Sequence, residues 1–108
     1  IFMFKDVIFH KESTTAGNGN EVFVNRSRSL TVEIFGTATS SKVTFYAKGL
    51  AGELRPISGI NINGLTIANN TTGKNEIWQF DVSGLVSVVM DLTEVSGVNI
   101  SIKGRLVD

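Results

Sequence analysis

Apolar and polar residues alternate with a period of two along much of this chain, most clearly in residues 29–48. The apolar positions of that stretch are Leu30, Val32 and Ile34 and, after the turn-rich segment GTATSS, Val43, Phe45 and Ala47. A period of two with β-branched and aromatic residues predicts strands that each place one face on a core. Two such runs around Gly36 predict either an antiparallel hairpin or a turn from one sheet to another.

Further strands are predicted before and after this stretch. They cover residues 1–10, 21–24, 54–62, a short piece at Leu65 and Ile67, 76–82, 85–92 and 98–107. Pro56 cannot donate to a ladder, so its segment is an edge strand or the start of a strand. No segment keeps a helical period between caps. Eight or nine short strands at near-regular spacing predict an antiparallel all-β domain over residues 1–108, either a sandwich or a barrel.

The parity of the apolar residues predicts which side chains are buried. Three sets share a face within their strands: Trp78, Phe80 and Val82; Val86, Val88, Met90 and Leu92; and Val98, Ile100, Ile102 and Leu106.

Two segments are apolar on both faces. In the first strand, Phe2 and Phe4 have one parity and Val7 and Phe9 the other, which predicts either a bulge near Lys5-Asp6 or a covered outer face. In 85–92, Leu85 and Val89 add apolar surface to the second face. A small antiparallel sandwich normally solvates one face of each sheet, so this excess predicts contact with another copy of the chain.

The composition agrees with a folded domain and excludes several functional classes. Of 108 residues, 42% are hydrophobic and 19% charged, and ten basic residues balance ten acidic ones. Because the net charge is zero, no global field attracts nucleic acid. The chain has no cysteine, which excludes thiol chemistry and disulfides. No apolar run is long enough for a membrane span, and residues 1–10 are not expected to be a signal peptide, because Lys5 and Asp6 interrupt them.

The candidate reactive residues do not form a recognisable site. His10 is the only histidine, which is too few for a zinc site without cysteine, and no G-x-S-x-G elbow accompanies the serines. Asp81 and Asp91 lie in or at the ends of strands, without a calcium-loop pattern. A carboxylate pair for glycoside hydrolysis is neither indicated nor excluded by spacing. We therefore expect no enzyme, no metal and no cofactor, and His10 is interpreted as a surface or structural residue.

Two groups of side chains have binding interpretations. Arg26, Arg28, Lys42, Lys48 and Arg55 allow a basic patch, but Tyr46 is the only aromatic residue near them, and a solvated rim is favoured over nucleic-acid binding. Trp78 and Tyr46 allow a sugar-stacking platform, although the parity of Trp78 favours the core.

Several segments resemble the XepA family of Bacillus prophage lytic-cassette proteins. They are FxxVIFH at 4–10, LTVEIFGTA at 30–38, SKVTFYAK at 41–48, RPISG at 55–59, GKNEIWQFDVSG at 73–84 and SGVNISIKG at 96–104. They resemble the C-terminal half of the larger family member, while the length is similar to that of its small relative YomS. The resemblance implies a β-sandwich similar to C2 domains, assembled as a ring-shaped pentamer. It supplies no catalytic residues.

These considerations lead to one main hypothesis and one alternative. The main hypothesis is a non-enzymatic, ring-forming β-sandwich of a prophage lysis cassette, in the cytoplasm of the bacterial host and in contact with a membrane surface as an accessory. It expects no small-molecule substrate. The alternative is a carbohydrate- or cell-wall-binding module of a phage tail or lysin, which predicts an exposed aromatic platform.

Overall fold

Ten strands in residues 3–108, the part that the computed structural model describes, form two antiparallel sheets packed face to face. The six-stranded sheet has the order β1 (Phe4–Ser13), β10 (Ile100–Val107), β3 (Ser29–Gly36), β8 (Glu76–Asp81), β6 (Gly59–Asn61) and β7 (Thr66–Ala68). The four-stranded sheet has the order β2 (Val22–Phe23), β9 (Ser87–Ser96), β4 (Ser40–Lys48) and β5 (Leu54–Pro56). The predicted antiparallel β-sandwich is confirmed. Within these residues no helix is long and apolar enough to cross a membrane.

The core lies between the sheets and is built by the predicted alternation. In β4, Phe45 contacts two aromatic rings of the opposite sheet, with centroids 4.9 Å from Trp78 and 4.8 Å from Phe80. The Phe45 and Phe80 rings meet edge to face, an arrangement that the charge distribution of aromatic rings favours. Trp78 and Val82 are fully buried and Phe80 almost so, which confirms the predicted core face of this segment.

Residues 29–48 turn from one sheet to the other. Of the two predicted alternatives the hairpin is wrong, since β3 pairs with β10 and β8, whereas β4 pairs with β9 and β5. The turn is anchored at Asn99, whose carbonyl accepts hydrogen bonds from the amides of Thr37 and Ala38, both at 3.0 Å. The side chain of Ala38 is fully buried. Two amphipathic strands can therefore follow each other closely and still lie on opposite sides of one core.

Residues 54–62 also divide between the sheets, so the prediction of one continuous strand is wrong. Its first part, β5, lies at the edge of the four-stranded sheet, where Pro56 is opposite Tyr46. The position of Pro56 on an edge strand is confirmed, because a proline there leaves no ladder bond unmade. The second part, β6, pairs with β7 and β8 in the other sheet. The short strand predicted at Leu65 and Ile67 is confirmed as β7 for Ile67, whereas Leu65 lies in the turn before it with φ +57°.

The first strand has its irregularity later than predicted. Its register with β10 is continuous from Phe4 to Ile8 and shifts between Ile8 and His10, so a bulge at Lys5-Asp6 is wrong. The shift makes two consecutive side chains, Phe9 and His10, point inward. Phe2, which belonged to this prediction, lies outside the described residues.

The outer edge of β1 is partly occupied by the loop that follows it. The backbone amide of Asn20 donates to the Phe9 carbonyl at 2.9 Å, and its side-chain amide donates to the Ile8 carbonyl at 3.0 Å. Gly19 makes this close approach with φ +65°, where a Cβ atom would lie 2.4 Å from the Phe9 carbonyl oxygen. Part of the edge strand is thus closed to a further strand.

Predictions for the last two long strands need four corrections. Val86, expected on the core face with Val88, Met90 and Leu92, precedes β9 and is 36% exposed. Val89, expected to add exposed apolar surface, is only 3% exposed in the single chain. Leu85 precedes β9 and packs partly buried against the core, so it does not belong to an outer face. Val98 precedes β10 and is exposed, because the chain has not yet entered the sheet. Residues 85–92 therefore give no support for contact between copies.

Candidate functional site

The outward side of the six-stranded sheet carries several apolar side chains that the described residues leave exposed. The strand registers place alternate residues of all six strands of this sheet on this side. Its β1 members are Phe4, Asp6 and Ile8; its central members include Lys103, Arg105, Thr31, Glu33, Phe35, Ile77, Gln79 and Asp81; and at the far edge it has Ile60 and Ile67. We call this surface the outer face.

Apolar side chains on the outer face are more exposed than packing within one chain explains. Phe4 is 58% exposed and Ile67 71%, while Ile8, Ile60 and Ile77 each expose about two fifths of their surface. Ile8 and Ile77 line one hollow of about 670 Å³ in the middle of the face. Contiguous exposed apolar surface of this kind is typical of a surface that binds a partner.

Charged residues on the outer face are arranged in cross-strand pairs. Asp6 lies opposite Arg105 and accepts two hydrogen bonds from its guanidinium, at 2.7 and 3.1 Å. The same guanidinium stacks over the ring of Phe4, 4.3 Å from its centroid. Lys103 and Glu33 are opposite each other on β10 and β3. These two pairs balance each other, and Asp81 at the end of β8 gives the face one further acid.

The hydrogen bond from Arg105, followed by its positive charge, lowers the pKa of Asp6 below its ordinary value. A carboxylate with a lowered pKa in the folded state contributes stability above the pKa of the unfolded chain. This contribution is lost as the pH falls through the folded-state value. Because the pair is exposed, we expect this to be a local reporter of the face, with little effect on global stability.

An Arg105→Gln variant is expected to raise the pKa of Asp6 towards the value of a free carboxyl group, which NMR titration of side-chain carboxyl carbons would measure. Asp81 is the internal control, since hydrogen bonds from Ser83 lower its pKa independently of Arg105. An unchanged Asp6 titration, or an equal shift at Asp81, would contradict the role given to Arg105.

The side chain of His10 connects the two sheets through a hydrogen bond. It is 5% exposed, its Nε2 atom lies 2.7 Å from the Met90 carbonyl oxygen, and its Nδ1 atom lies 3.0 Å from Ser13 Oγ. Because a carbonyl only accepts, Nε2 carries a proton and donates. Of the surface and structural interpretations, the geometry fits the structural one, and it occupies both ring nitrogens away from the outer face.

The carboxylates considered for metal or acid–base chemistry lie far apart in the fold. Asp81 ends β8 in one sheet, and Asp91 lies within β9 in the other. Among residues 3–108, no three His, Asp or Glu side chains converge in a way that could hold a metal ion. The described carboxylates therefore form no group that could coordinate a metal ion.

The sequence placed Trp78 between two interpretations, and the structure shows it in the core. Its ring is fully buried, and its Nε1 atom donates to Glu76 at 3.0 Å. Tyr46 lies in β4 of the other sheet and is half-buried. These two rings do not form a common platform, which counts against carbohydrate stacking on them.

The five cations considered as a basic patch are dispersed. Lys42 and Lys48 lie at opposite ends of β4. Lys48 pairs with Glu21 at 3.2 Å, and Arg55 pairs with Glu53 at 3.5 Å. Hydrogen bonds from Ser87 and then Lys48 lower the pKa of Glu21. Only Arg26 and Arg28 stay together, in the turn between β2 and β3.

The isoleucines of the outer face are the residues that sequence reasoning missed. Ile77 directly precedes the core residue Trp78, so its outward position was readable from parity. Ile60 and Ile67 are opposite each other on β6 and β7. Ile60 was harder to find, because the boundary between two strands within 54–62 carries no period. Ile67 was placed in a short strand, but so short a segment does not show which side faces outward.

Comparison with known proteins places this architecture among phage proteins. The sequence model of the XepA family matches residues 3–106. The chain is 36% identical over 102 residues to YqxG of Bacillus subtilis strain 168, described as uncharacterized, and 35% identical over 102 residues to the phage-like element PBSX protein XepA of that strain. Each match covers 94% of this chain but only 34% of YqxG and 37% of XepA, so the chain spans about a third of their length.

A smaller relative is covered almost throughout. The SPbeta prophage-derived uncharacterized protein YomS of Bacillus subtilis strain 168 is 36% identical over 99 residues, covering 92% of this chain and 83% of YomS. The crystal structure of YomS matches with a TM-score of 0.94 over 100% of this chain and 96% of that one. The crystal structure of the PBSX exported protein XepA matches with a TM-score of 0.97 over 99% of this chain and 38% of that one. Both structures are 34% identical to this chain.

Proposed function

The chain belongs to the XepA family of prophage-derived proteins, and from this we propose that it acts without enzymatic activity, as a self-assembling β-sandwich of a prophage lysis region. In this proposal the outer face contacts a second copy of the chain. The observation that carries it is the exposed apolar surface of Phe4, Ile8, Ile77 and Ile67 on one side of an otherwise well-packed sandwich.

The charge pattern supports an identical copy as the occupant of the outer face. The charges of the face are mixed, with Asp6, Glu33 and Asp81 against Lys103 and Arg105, so it offers little preference to a strongly acidic or basic partner. A second copy supplies both signs and can complement them. In a ring, each copy presents the outer face to a different surface of the next copy, and such head-to-tail contacts give a closed assembly when the rotation between copies closes. We propose a pentameric ring, the number that the family resemblance implies.

Native mass spectrometry of the wild-type chain is expected to show a species at five times the chain mass of 11.7 kDa. The variant Ile77→Lys is expected to shift most of the protein to monomer, because a lysine ammonium would have to be desolvated at the centre of the contact. The new lysine would lie opposite Glu33, so the isolated fold should tolerate it.

The matched control is Val98→Lys, which makes the same change at a 58% exposed position outside the outer face. It should keep the wild-type mass distribution. A monomeric wild-type chain at micromolar concentration would overturn self-assembly. Equal dissociation of the two variants would overturn the assignment of the contact to the outer face.

The proposal places the protein in the cytoplasm of the host until lysis. The solved relative XepA is described as an exported protein, so location is a separate question for this chain. Fractionation of induced cells would answer it: recovery in the cytoplasmic fraction supports the proposal, and recovery in the medium before lysis contradicts it.

A further inference from the structure

Leu50 is the most exposed large apolar residue in the described part of the chain, at 99%. It lies in the turn that joins β4 to β5, where the amide of Gly52 donates to the carbonyl of Gly49 at 3.2 Å and Gly52 has φ +77°. A turn closed in this way presents its second residue to solvent. Leu50 therefore contributes no apolar burial to its own chain, although its apolar surface would favour leaving water.

Backbone hydrogen bonds bring three more segments to the same end of the sandwich. The bonds run from Val86 to Lys48 at 2.9 Å, from Val24 to Val86 at 3.2 Å, from Val82 to Arg28 at 2.9 Å and from Arg28 to Val107 at 2.8 Å. Asp108 in turn donates to Met3 at 3.1 Å. We call this end, formed by residues 3–5, 23–28, 49–54 and 82–86, the Leu50 end.

Exposed apolar side chains and cations occur together at the Leu50 end. Met3 is 63% exposed and Phe23 is 55% exposed. Both line a shallow hollow of about 210 Å³, together with Lys5 and Arg26. Protruding apolar side chains beside cations are a combination that fits the boundary between lipid headgroups and acyl chains.

We propose that the Leu50 end docks on an anionic lipid bilayer, with Leu50 and Phe23 inserted at the interface and Lys5 and Arg26 at the headgroup phosphates. The shape favours a bilayer over a protein partner, because Leu50 projects from a convex turn, whereas helix or peptide partners are held in grooves. A fluid lipid surface accepts such a protrusion without a matching cavity.

The charges of the Leu50 end agree with this partner. Lys48 and Arg55 are neutralised by Glu21 and Glu53, whereas no ion pair found in residues 3–108 involves Lys5, Arg26 or Arg28. Glu53 is the acid within this end, while Asp81 and Asp108 border it and accept hydrogen bonds from the backbone amides of Ser83 and Met3. The cations left without an acidic partner therefore favour a negatively charged surface.

The opposite end supplies a matched control. Leu65, in the turn between β6 and β7, is 73% exposed, has the same side chain as Leu50 and lies far from the Leu50 end along the strands. If a bilayer bound any exposed leucine, replacing either Leu50 or Leu65 would weaken the binding. If the protein docks through the Leu50 end, only the replacement of Leu50 weakens the binding.

Co-sedimentation with vesicles would test the proposal, using the full chain in EDTA and vesicles of either phosphatidylglycerol with phosphatidylcholine or phosphatidylcholine alone. The wild-type chain should sediment with the anionic vesicles. Leu50→Ser and Phe23→Ser should each weaken the partition constant by on the order of tenfold. Leu65→Ser should leave the partition constant unchanged. Leu50→Trp should retain binding, and the emission of the introduced tryptophan should shift to the blue when vesicles are bound.

Three outcomes would overturn the inference: no wild-type sedimentation with anionic vesicles, an equal loss with Leu65→Ser, or equal binding to uncharged vesicles. The mass distribution of Leu50→Ser, measured in parallel, separates this inference from the assembly proposed above. Docking on lipid through the Leu50 end requires that distribution to stay wild-type while sedimentation falls. A joint loss of both would assign Leu50 to the contact between copies.

Discussion

Replacing Phe45 with alanine is expected to lower the free energy of unfolding by about 3–5 kcal/mol. Phe45 is fully buried and its ring is the only one of β4 that touches both Trp78 and Phe80 across the core. The truncation removes apolar burial and two aromatic contacts, and rigid strands on both sides cannot collapse into the space. Urea denaturation followed by the fluorescence of the single tryptophan would measure the loss, at equal protein concentrations.

The comparison for this variant is Phe23→Ala, the same chemical change at a 55% exposed position. We expect it to cost less than about 1 kcal/mol. If Phe45→Ala prevents folding altogether, Phe45→Leu should still fold, with a smaller loss of about 1–2 kcal/mol. Equal losses at Phe45 and Phe23 would mean that the two sheets are not held together through Phe45.

The second large effect is expected at Gly36, where β3 ends and the chain begins its turn to the other sheet. Gly36 has φ +149°, which L residues rarely adopt, and a Cβ atom there would lie 2.3 Å from the carbonyl oxygen of Asn99. Gly36→Ala should therefore destabilise the fold by roughly 2–4 kcal/mol through backbone strain and displacement of β10. Urea denaturation, followed as for the Phe45 variant, would measure this loss of unfolding free energy.

Gly49→Ala is the matched control, since a Cβ atom at Gly49 meets open space. It should change the unfolding free energy by no more than about 0.5 kcal/mol. In amide hydrogen exchange, Gly36→Ala should also reduce protection at Thr37 and Ala38, which donate to Asn99. A fully stable Gly36→Ala variant would contradict the tight approach of these two segments.

The predictable part of the fold was the part governed by the parity of apolar residues. Leu30, Val32 and Ile34 were assigned to the core because alternation reports directly which side of a strand is buried. Whether β3 and β4 form a hairpin or lie in different sheets is decided by backbone contacts with Asn99, sixty residues further along, and no local pattern contains that information.

The candidate site was only partly predictable for a related reason. Apolar residues of both parities in β1 indicated an uncovered face, and Phe4 and Ile8 are indeed exposed. The same signal at Val89 was misleading, because that residue is buried within its own chain. Two-sided apolar patterns do not distinguish burial by a neighbouring segment from burial by another molecule. Leu50 was unreadable, since a single leucine in a glycine-rich loop has no period.

The way Asn20 occupies the Ile8 and Phe9 carbonyls has a consequence for growth beyond a finite particle. A bare outermost strand recruits further strands without limit, as in fibrils. In β1, part of the backbone is already hydrogen-bonded to Asn20, while the outward side chains of the same strand stay exposed. Copies of the chain can therefore contact each other through side chains without being templated into a fibril.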